Sequence, residues 1–137
     1  MAEKANTGAQ ARLEDQFVTA ILVTHDGAPW LSEVVAALSS QKHSPDQIIA
    51  VDTGSVDGSV KLLSNAGLEV VKKSRSTGFG AAVNAAVERL PKIQADDGDD
   101  EWLWILHDDC APDRNALAKL LEASLDRPQV GIAGPKS

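Results

Sequence analysis

Two short acidic stretches in this chain of 137 residues have the residue types and spacing to do chemistry: "IIAVDTGSVDGS" (48–59) and "WLWILHDDCAPD" (102–113). In each, an apolar run stops abruptly at a carboxylate, Asp52 in the first and the pair Asp108–Asp109 in the second. A third run, "FVTAILVT" (17–24), ends at His25–Asp26. Carboxylates gathered in one crevice raise one another's pKa or share a cation. Mg²⁺ and Mn²⁺ take oxygen ligands and commonly use only one or two carboxylates plus phosphate oxygens, so an isolated Asp-Asp pair suits a site where a hard divalent ion meets a diphosphate. The plainer alternative is that Asp108 and Asp109 open a turn and Asp113 caps the helix after it.

The elements that must hold these acids follow from hydrophobic period. "FVTAILVT" is β-rich and apolar on both faces, as in a strand buried between layers. Trp30, Leu31, Val34, Val35 and Leu38 then recur at three- and four-residue steps and predict a helix. "DQIIAVD" is the second strand, and "SVDGSVKLLSNAG" is a helix that Ser55 or Asp57 is placed to cap and Gly67 to end. "LEVVKK" is the third strand; "GFGAAVNAAVERL" is a helix with Val83, Val87 and Leu90 on one face. After the charged loop "PKIQADDGDD", "EWLWILH" is a core strand with both tryptophans inside. "PDRNALAKLLEASLDRP" is a helix capped by Asp113 with Leu117, Leu120, Leu121 and Leu125 inward, and "QVGIAG" is a fifth strand. Strict alternation predicts an α/β fold, a mainly parallel sheet with helices on both faces. With strand order 3-2-1-4, the three acidic strand ends line one crevice, where open α/β sheets bind ligands.

Element type also removes rival chemistries. An aspartic protease carries Asp-Thr-Gly in an all-β chain, whereas here the loop feeds a helix. Gly78-x-Gly80 lacks the third glycine of a dinucleotide fingerprint and follows the third strand, which counts against a Rossmann oxidoreductase. "ADDGDDE" lacks the spaced ligands and closing Glu of a calcium loop and reads as a solvated connection. Trp30 reads as core, and His43 has no visible partner.

A net charge of −7 opposes a general nucleic-acid surface. The longest apolar run, within Phe17–Val23, falls far short of the roughly 20 residues of a membrane span. Residues 1–16 have no apolar signal core and read as a disordered polar lead-in. A lone cysteine, Cys110, leaves no internal disulfide and fits a reducing compartment, so the expected location is cytoplasmic, with any membrane association supplied by other parts of a longer parent.

Taken in order and at their intervals, "FVTAILVTHDGAPWL", "IIAVDTGSVDGSV", "STGFGAAVNAAV" and "WILHDDCAPD" resemble the N-terminal half of family 2 glycosyltransferases, over about residues 17–135. The resemblance implies the GT-A, Rossmann-like fold and transfer of a sugar from a nucleotide-diphospho-sugar to an acceptor hydroxyl of a glycan or lipid-linked sugar. Residue by residue, it places Thr24 and His25 beside the base and gives Asp52 a hydrogen bond from base or ribose. Asn84 lies near the nucleotide, Asp108 faces the ribose, and Asp109 binds Mg²⁺ or Mn²⁺. The family often has a second acid where this chain has Thr53, and an oxygen ligand where it has Cys110, whose soft thiol suits Mg²⁺ poorly. The chain stops soon after the fifth strand, so residues 17–137 are expected to be the donor-binding portion of a longer, inverting enzyme, with the catalytic base outside it. A non-catalytic nucleotide-binding or assembly module of the same fold is the alternative. A nucleotidyltransferase is disfavoured because "HDGAPW" is neither glycine-rich nor basic.

Overall fold

The computed structural model describes residues 16–90 and 101–125. Eight elements alternate: β1 (Phe17–Thr24), α1 (Ala28–Ser39), β2 (Gln47–Thr53), α2 (Ser59–Asn65), β3 (Glu69–Lys73), α3 (Phe79–Arg89), β4 (Glu101–His107) and α4 (Ala116–Leu125). The four strands form one sheet in the order β3-β2-β1-β4, every pairing parallel. This is the predicted doubly wound arrangement. Its register sets Thr24 beside Asp52 and Val23 beside His107, which brings three strand ends to one edge of the sheet.

β1 is one of the two inner strands, and from Val18 to Thr24 every residue is buried. Alternate residues serve opposite layers because successive side chains leave a strand on opposite faces. Ala20 and Leu22, with Ala50 and Leu106, pack against Leu31, Val34 and Leu38 of α1 and Leu63 of α2. Val18, on the same face, packs with Leu117 and Leu121 of α4. Ile21 and Val23, with Ile49, Val51 and Val71, face α3. Helices therefore cover both faces, α1, α2 and α4 on one and α3 on the other.

The structure corrects three inward assignments. In α3 the buried residues are Ala82, Ala85 and Ala86, while Val83 and Leu90 are partly buried at the margin and Val87 is exposed. Both sets have helical spacing, and the alanines face inward because small side chains let the helix axis lie close to a sheet already filled with isoleucine and valine. β4 is one of the two edge strands among the described residues: Trp102 and Trp104 are half-buried on the α4 face, and Leu103 and Ile105, on the α3 face, are 44% and 46% exposed. α3 covers β1, β2 and β3 but has few contacts with β4. Trp30 is also turned outward, 48% exposed, leaving α1 to bury Leu31, Val34 and Leu38.

The end of α2 follows the expected chemistry. Gly67 has φ +82, its N–H donates to the Ser64 carbonyl, and Leu68 N–H donates to the Leu63 carbonyl. That paired closure needs a residue free to adopt the left-handed region, which glycine does without steric cost. Gln16, at the end of the polar lead-in, is buried, and its side-chain oxygen accepts the Trp102 indole N–H. The expected segment 1–15, the loop 91–100, the strand 129–134 and the Leu125 side chain lie outside the described residues. Among those described, no helix is long and apolar enough to cross a membrane.

Leu22 is wholly buried in the α1/α2 layer. Leu22→Ala is therefore expected to cost about 2–5 kcal/mol, transfer plus cavity, in urea-induced unfolding. Ile105→Thr on the open side of β4 is expected to cost under about 1 kcal/mol in the same measurement.

Candidate functional site

The edge formed by the strand ends is built around Asp108. This residue is 3% exposed, directly after β4, and its Oδ2 accepts both the Thr24 hydroxyl at 2.8 Å and the His25 backbone N–H at 2.9 Å. Thr24 is fully buried at the end of β1. A buried carboxylate needs such donors, since an unpaired charge out of water is strongly unfavourable. Gly27 makes the approach possible: a Cβ there would lie 2.6 Å from Thr24 Oγ1 and closer still to Asp108 Oδ2. The start of α1 thus passes directly over the Thr24–Asp108 pair, with the positive end of a helix near a carboxylate.

The first N–H groups of α1 have no partners within their own helix. The loop after β2 supplies them. Asp26 N–H donates to Ser55 Oγ at 2.8 Å, Gly27 N–H to Ser59 Oγ at 3.0 Å, and Ala28 N–H to Asp57 Oδ2 at 3.1 Å. In return Val56 N–H donates to Asp26 Oδ1 at 2.8 Å. Ser55 and Asp57 are therefore not simple caps of α2, which begins only at Ser59. Asp57 does accept the Ser59 N–H and hydroxyl at that helix start, but its other oxygen holds the neighbouring helix. These contacts hold Asp26 at φ +48, a left-handed conformation that Asp tolerates better than most residues. The Ser59 hydroxyl holds the Asp57 carboxyl below its ordinary value of 3.8, and the Ser59 and Ala28 N–H groups act in the same direction. Gly54, at φ +75, lets the loop pass the Arg75 backbone, since a Cβ there would meet Arg75 N at 2.8 Å.

Asp52 lies beside this clasp, 3% exposed at the end of β2. Its Oδ2 accepts the Ser55 N–H at 3.0 Å. Its Oδ1 is the one buried side-chain polar atom without a hydrogen-bond partner among the described residues. The His25 ring bonds through Nδ1 to the Thr53 carbonyl at 2.7 Å, so Nδ1 carries the proton there and Nε2, 3.5 Å from Asp26 Oδ2, points onward. Thr53, which stands where a second acid is expected, is buried and fixes His25. Asp109 and Cys110 are exposed just past β4. Asn84 is exposed in the second turn of α3, and no hydrogen bond among the described residues joins it to the cluster.

The structure thus gathers Thr24, His25, Asp52, Asp108 and Asp109 at one sheet edge. Sequence reading missed the roles of Asp26, Ser55, Asp57, Ser59 and Gly27, and it did not consider His107 as a ligand. His107 Nδ1 lies 2.9 Å from Asp108 Oδ1 and 3.1 Å from Asp109 Oδ1, and the ring stacks on Phe79 with centroids 5.9 Å apart. These three residues form a cluster able to hold a metal ion, two carboxylate oxygens and one imidazole nitrogen within 4.8 Å of one another. The run "HDD" in the sequence was the available signal.

The family described as glycosyl transferase family 2 matches residues 19–135. An N-acetylglucosaminyl-diphospho-decaprenol L-rhamnosyltransferase of Mycobacterium tuberculosis is 27% identical over 122 residues, covering 84% of this chain and 39% of the relative. The chain thus spans about two fifths of the length of that relative. Among solved structures, the mannosyltransferase PcManGT of Pyrobaculum calidifontis, in complex with GDP-Man and Mn²⁺, superposes with a TM-score of 0.66 at 23% identity, covering 80% of this chain and 32% of the other. S. aureus TarS 1–349 in complex with UDP-GlcNAc gives 0.67 at 16% identity, covering 88% of this chain and 37% of the other. These likenesses establish a shared fold.

Gly27→Ala is expected to destabilise the chain by about 1–3 kcal/mol through overpacking of the Thr24–Asp108 pair, measured by urea unfolding. Gly78→Ala, whose Cβ meets nothing within 4 Å, is the neutral control. The lowered Asp57 pKa means that the fold favours its ionised form, so this stabilisation is complete above the ordinary carboxyl pKa and is lost as pH falls through the lower folded value. Melting temperature is expected to drop below about pH 4, with a shallower drop in Asp57→Asn.

Proposed function

The chain belongs to glycosyl transferase family 2, and from that premise we infer that it is the donor-binding part of a glycosyltransferase that moves a sugar from a nucleotide-diphospho-sugar to an acceptor hydroxyl. The observation that carries this reading is the buried, unpartnered Asp52 Oδ1 at the strand edge where Thr24 and Asp108 also converge. A buried carboxylate oxygen without a donor is costly, and an N–H of a base or a hydroxyl of a ribose supplies one.

In this reading Asp52 selects and orients the nucleoside, with Thr24 and His25 beside the base. The Thr53 carbonyl holds the His25 ring in one tautomer and leaves Nε2 at the outer side of the site. Asp108, clamped at Oδ2 by the Thr24 hydroxyl and the His25 N–H, stands on the ribose side of the site, and the two lone pairs of its Oδ1 let that oxygen accept a ribose hydroxyl and still meet an ion. Asn84, one turn into α3, completes the nucleotide side. Asp109 is exposed and would hold a divalent cation, Mg²⁺ or Mn²⁺, and the carboxylate-rich cluster at the end of β4 suits such an ion. When bound, that ion supplies neutralisation of the charge that develops on the leaving diphosphate. The complex of PcManGT with GDP-Man and Mn²⁺ supports a divalent metal.

Inversion at the anomeric carbon, with the acceptor hydroxyl deprotonated by a base outside the described residues, is part of the same proposal. The diphospho-decaprenol in the name of the mycobacterial relative supports a lipid-linked acceptor.

Calorimetric titration with UDP and with GDP, each with Mn²⁺ and with EDTA, tests the donor site. Metal-dependent binding of one nucleotide is the expected result. Asp109→Ala is expected to abolish the metal dependence, and Asp52→Asn to weaken nucleotide binding by about 1–3 kcal/mol. No binding of either nucleotide by the folded chain removes the donor-site reading and leaves a non-catalytic module of the same fold.

A further inference from the structure

We propose that His107 is itself a ligand of the divalent cation, so that the site offers one imidazole nitrogen with two carboxylate oxygens and prefers Mn²⁺ to Mg²⁺. The inference rests on the donor-site reading above and adds a nitrogen donor to it.

The geometry comes from three atoms. His107 Nδ1 stands 2.9 Å from Asp108 Oδ1 and 3.1 Å from Asp109 Oδ1. In an octahedral site with bonds of about 2.1 Å, neighbouring ligand atoms lie about 3 Å apart, so the imidazole edges already have the spacing of adjacent ligands. Asp108 cannot offer its other oxygen, because Oδ2 is held by the Thr24 hydroxyl and the His25 N–H. Its buried carboxylate is therefore oriented with Oδ1 toward His107 before any ion arrives.

The His107 ring is oriented as well. Phe79, the first residue of α3, stacks on it with an interplanar angle of 28°, which keeps the ring plane fixed while the imidazole side chain remains 53% exposed. An ion entering from solvent thus meets one oriented nitrogen, one buried oxygen and the exposed oxygen of Asp109. Mg²⁺ has little liking for nitrogen, whereas affinity for nitrogen-containing sites rises along the transition series. The competing role for His107 is that of a hydrogen-bond donor which merely positions the two carboxylates. Glutamine retains an N–H donor but has no imidazole nitrogen, so His107→Gln separates the roles.

The test uses the 137-residue chain loaded with Mn²⁺, alone and with UDP or GDP, and reads nitrogen coupling to the ion by pulsed electron paramagnetic resonance. Directly coordinated nitrogen is expected in the wild-type chain and in His43→Gln, and is expected to vanish in His107→Gln, with folding checked by circular dichroism. Titration calorimetry is expected to show Mn²⁺ affinity falling at least about tenfold in His107→Gln while Mg²⁺ affinity changes by less than about threefold. Bound Mn²⁺ without nitrogen coupling, or an equal loss for both ions, overturns the ligand role and leaves the Asp109 site standing. Failure of the wild-type chain to bind Mn²⁺ and either nucleotide overturns both readings together.

Discussion

The carboxylate of Asp108 holds the end of β4 to the end of β1, and the rest of the site is arranged around that bond. A buried charge demands donors, and Thr24 and the His25 N–H provide two to a single oxygen. Meeting that demand brings the β1–α1 loop over the pair, where only a glycine fits, and it aims the start of α1 at the acid. The other oxygen is left facing outward beside His107. One interaction across 84 residues of sequence thereby fixes a strand pairing, a loop path and the direction in which the site faces.

The second constraint is the unsatisfied start of α1. Three backbone N–H groups there are met by Ser55, Ser59 and Asp57 from the neighbouring crossover, and Asp26 answers in the other direction. The two loops are consequently one unit. This matters for function because Asp52, three residues before Ser55 and bonded to its N–H, is carried by the same unit. A nucleoside that engages Asp52 meets a loop already closed on its neighbour, and less ordering remains to oppose binding.

β4 contributes differently. As an edge strand among the described residues it leaves His107 and Asp109 in solvent while Asp108 is buried. β4 ends at His107, and Asp108 and Asp109 follow in a turn whose Cys110 N–H donates to the His107 carbonyl at 3.3 Å, which directs one acid inward and the other out. The buried acid has one oxygen committed to the Thr24 clamp and the other facing His107, and the exposed acid meets the same ring from the solvent side. Phe79 links α3 to this end of the strand through the His107 ring, a contact that gives the glycine-flanked start of α3 a role beyond close packing.

The sequence by itself determined the α/β class, the eight described elements in their order and the collection of acids at strand ends. Those features are written in local period, in apolar runs that stop at Asp52 and Asp108, and in Gly67, whose backbone freedom a helix end requires. Only the tertiary structure decided which residues face inward on α3, that β4 has an open face, and that Trp30 points outward. Helical period identifies a stripe but not which of two stripes meets the sheet, since alanine and valine compete on fit rather than on hydrophobicity alone. The partners of Ser55, Asp57 and Ser59 were equally hidden. A cap read from sequence belongs to the nearest helix, whereas in the fold two parallel strands set their loops side by side and the unmet N–H groups of α1 lie within reach.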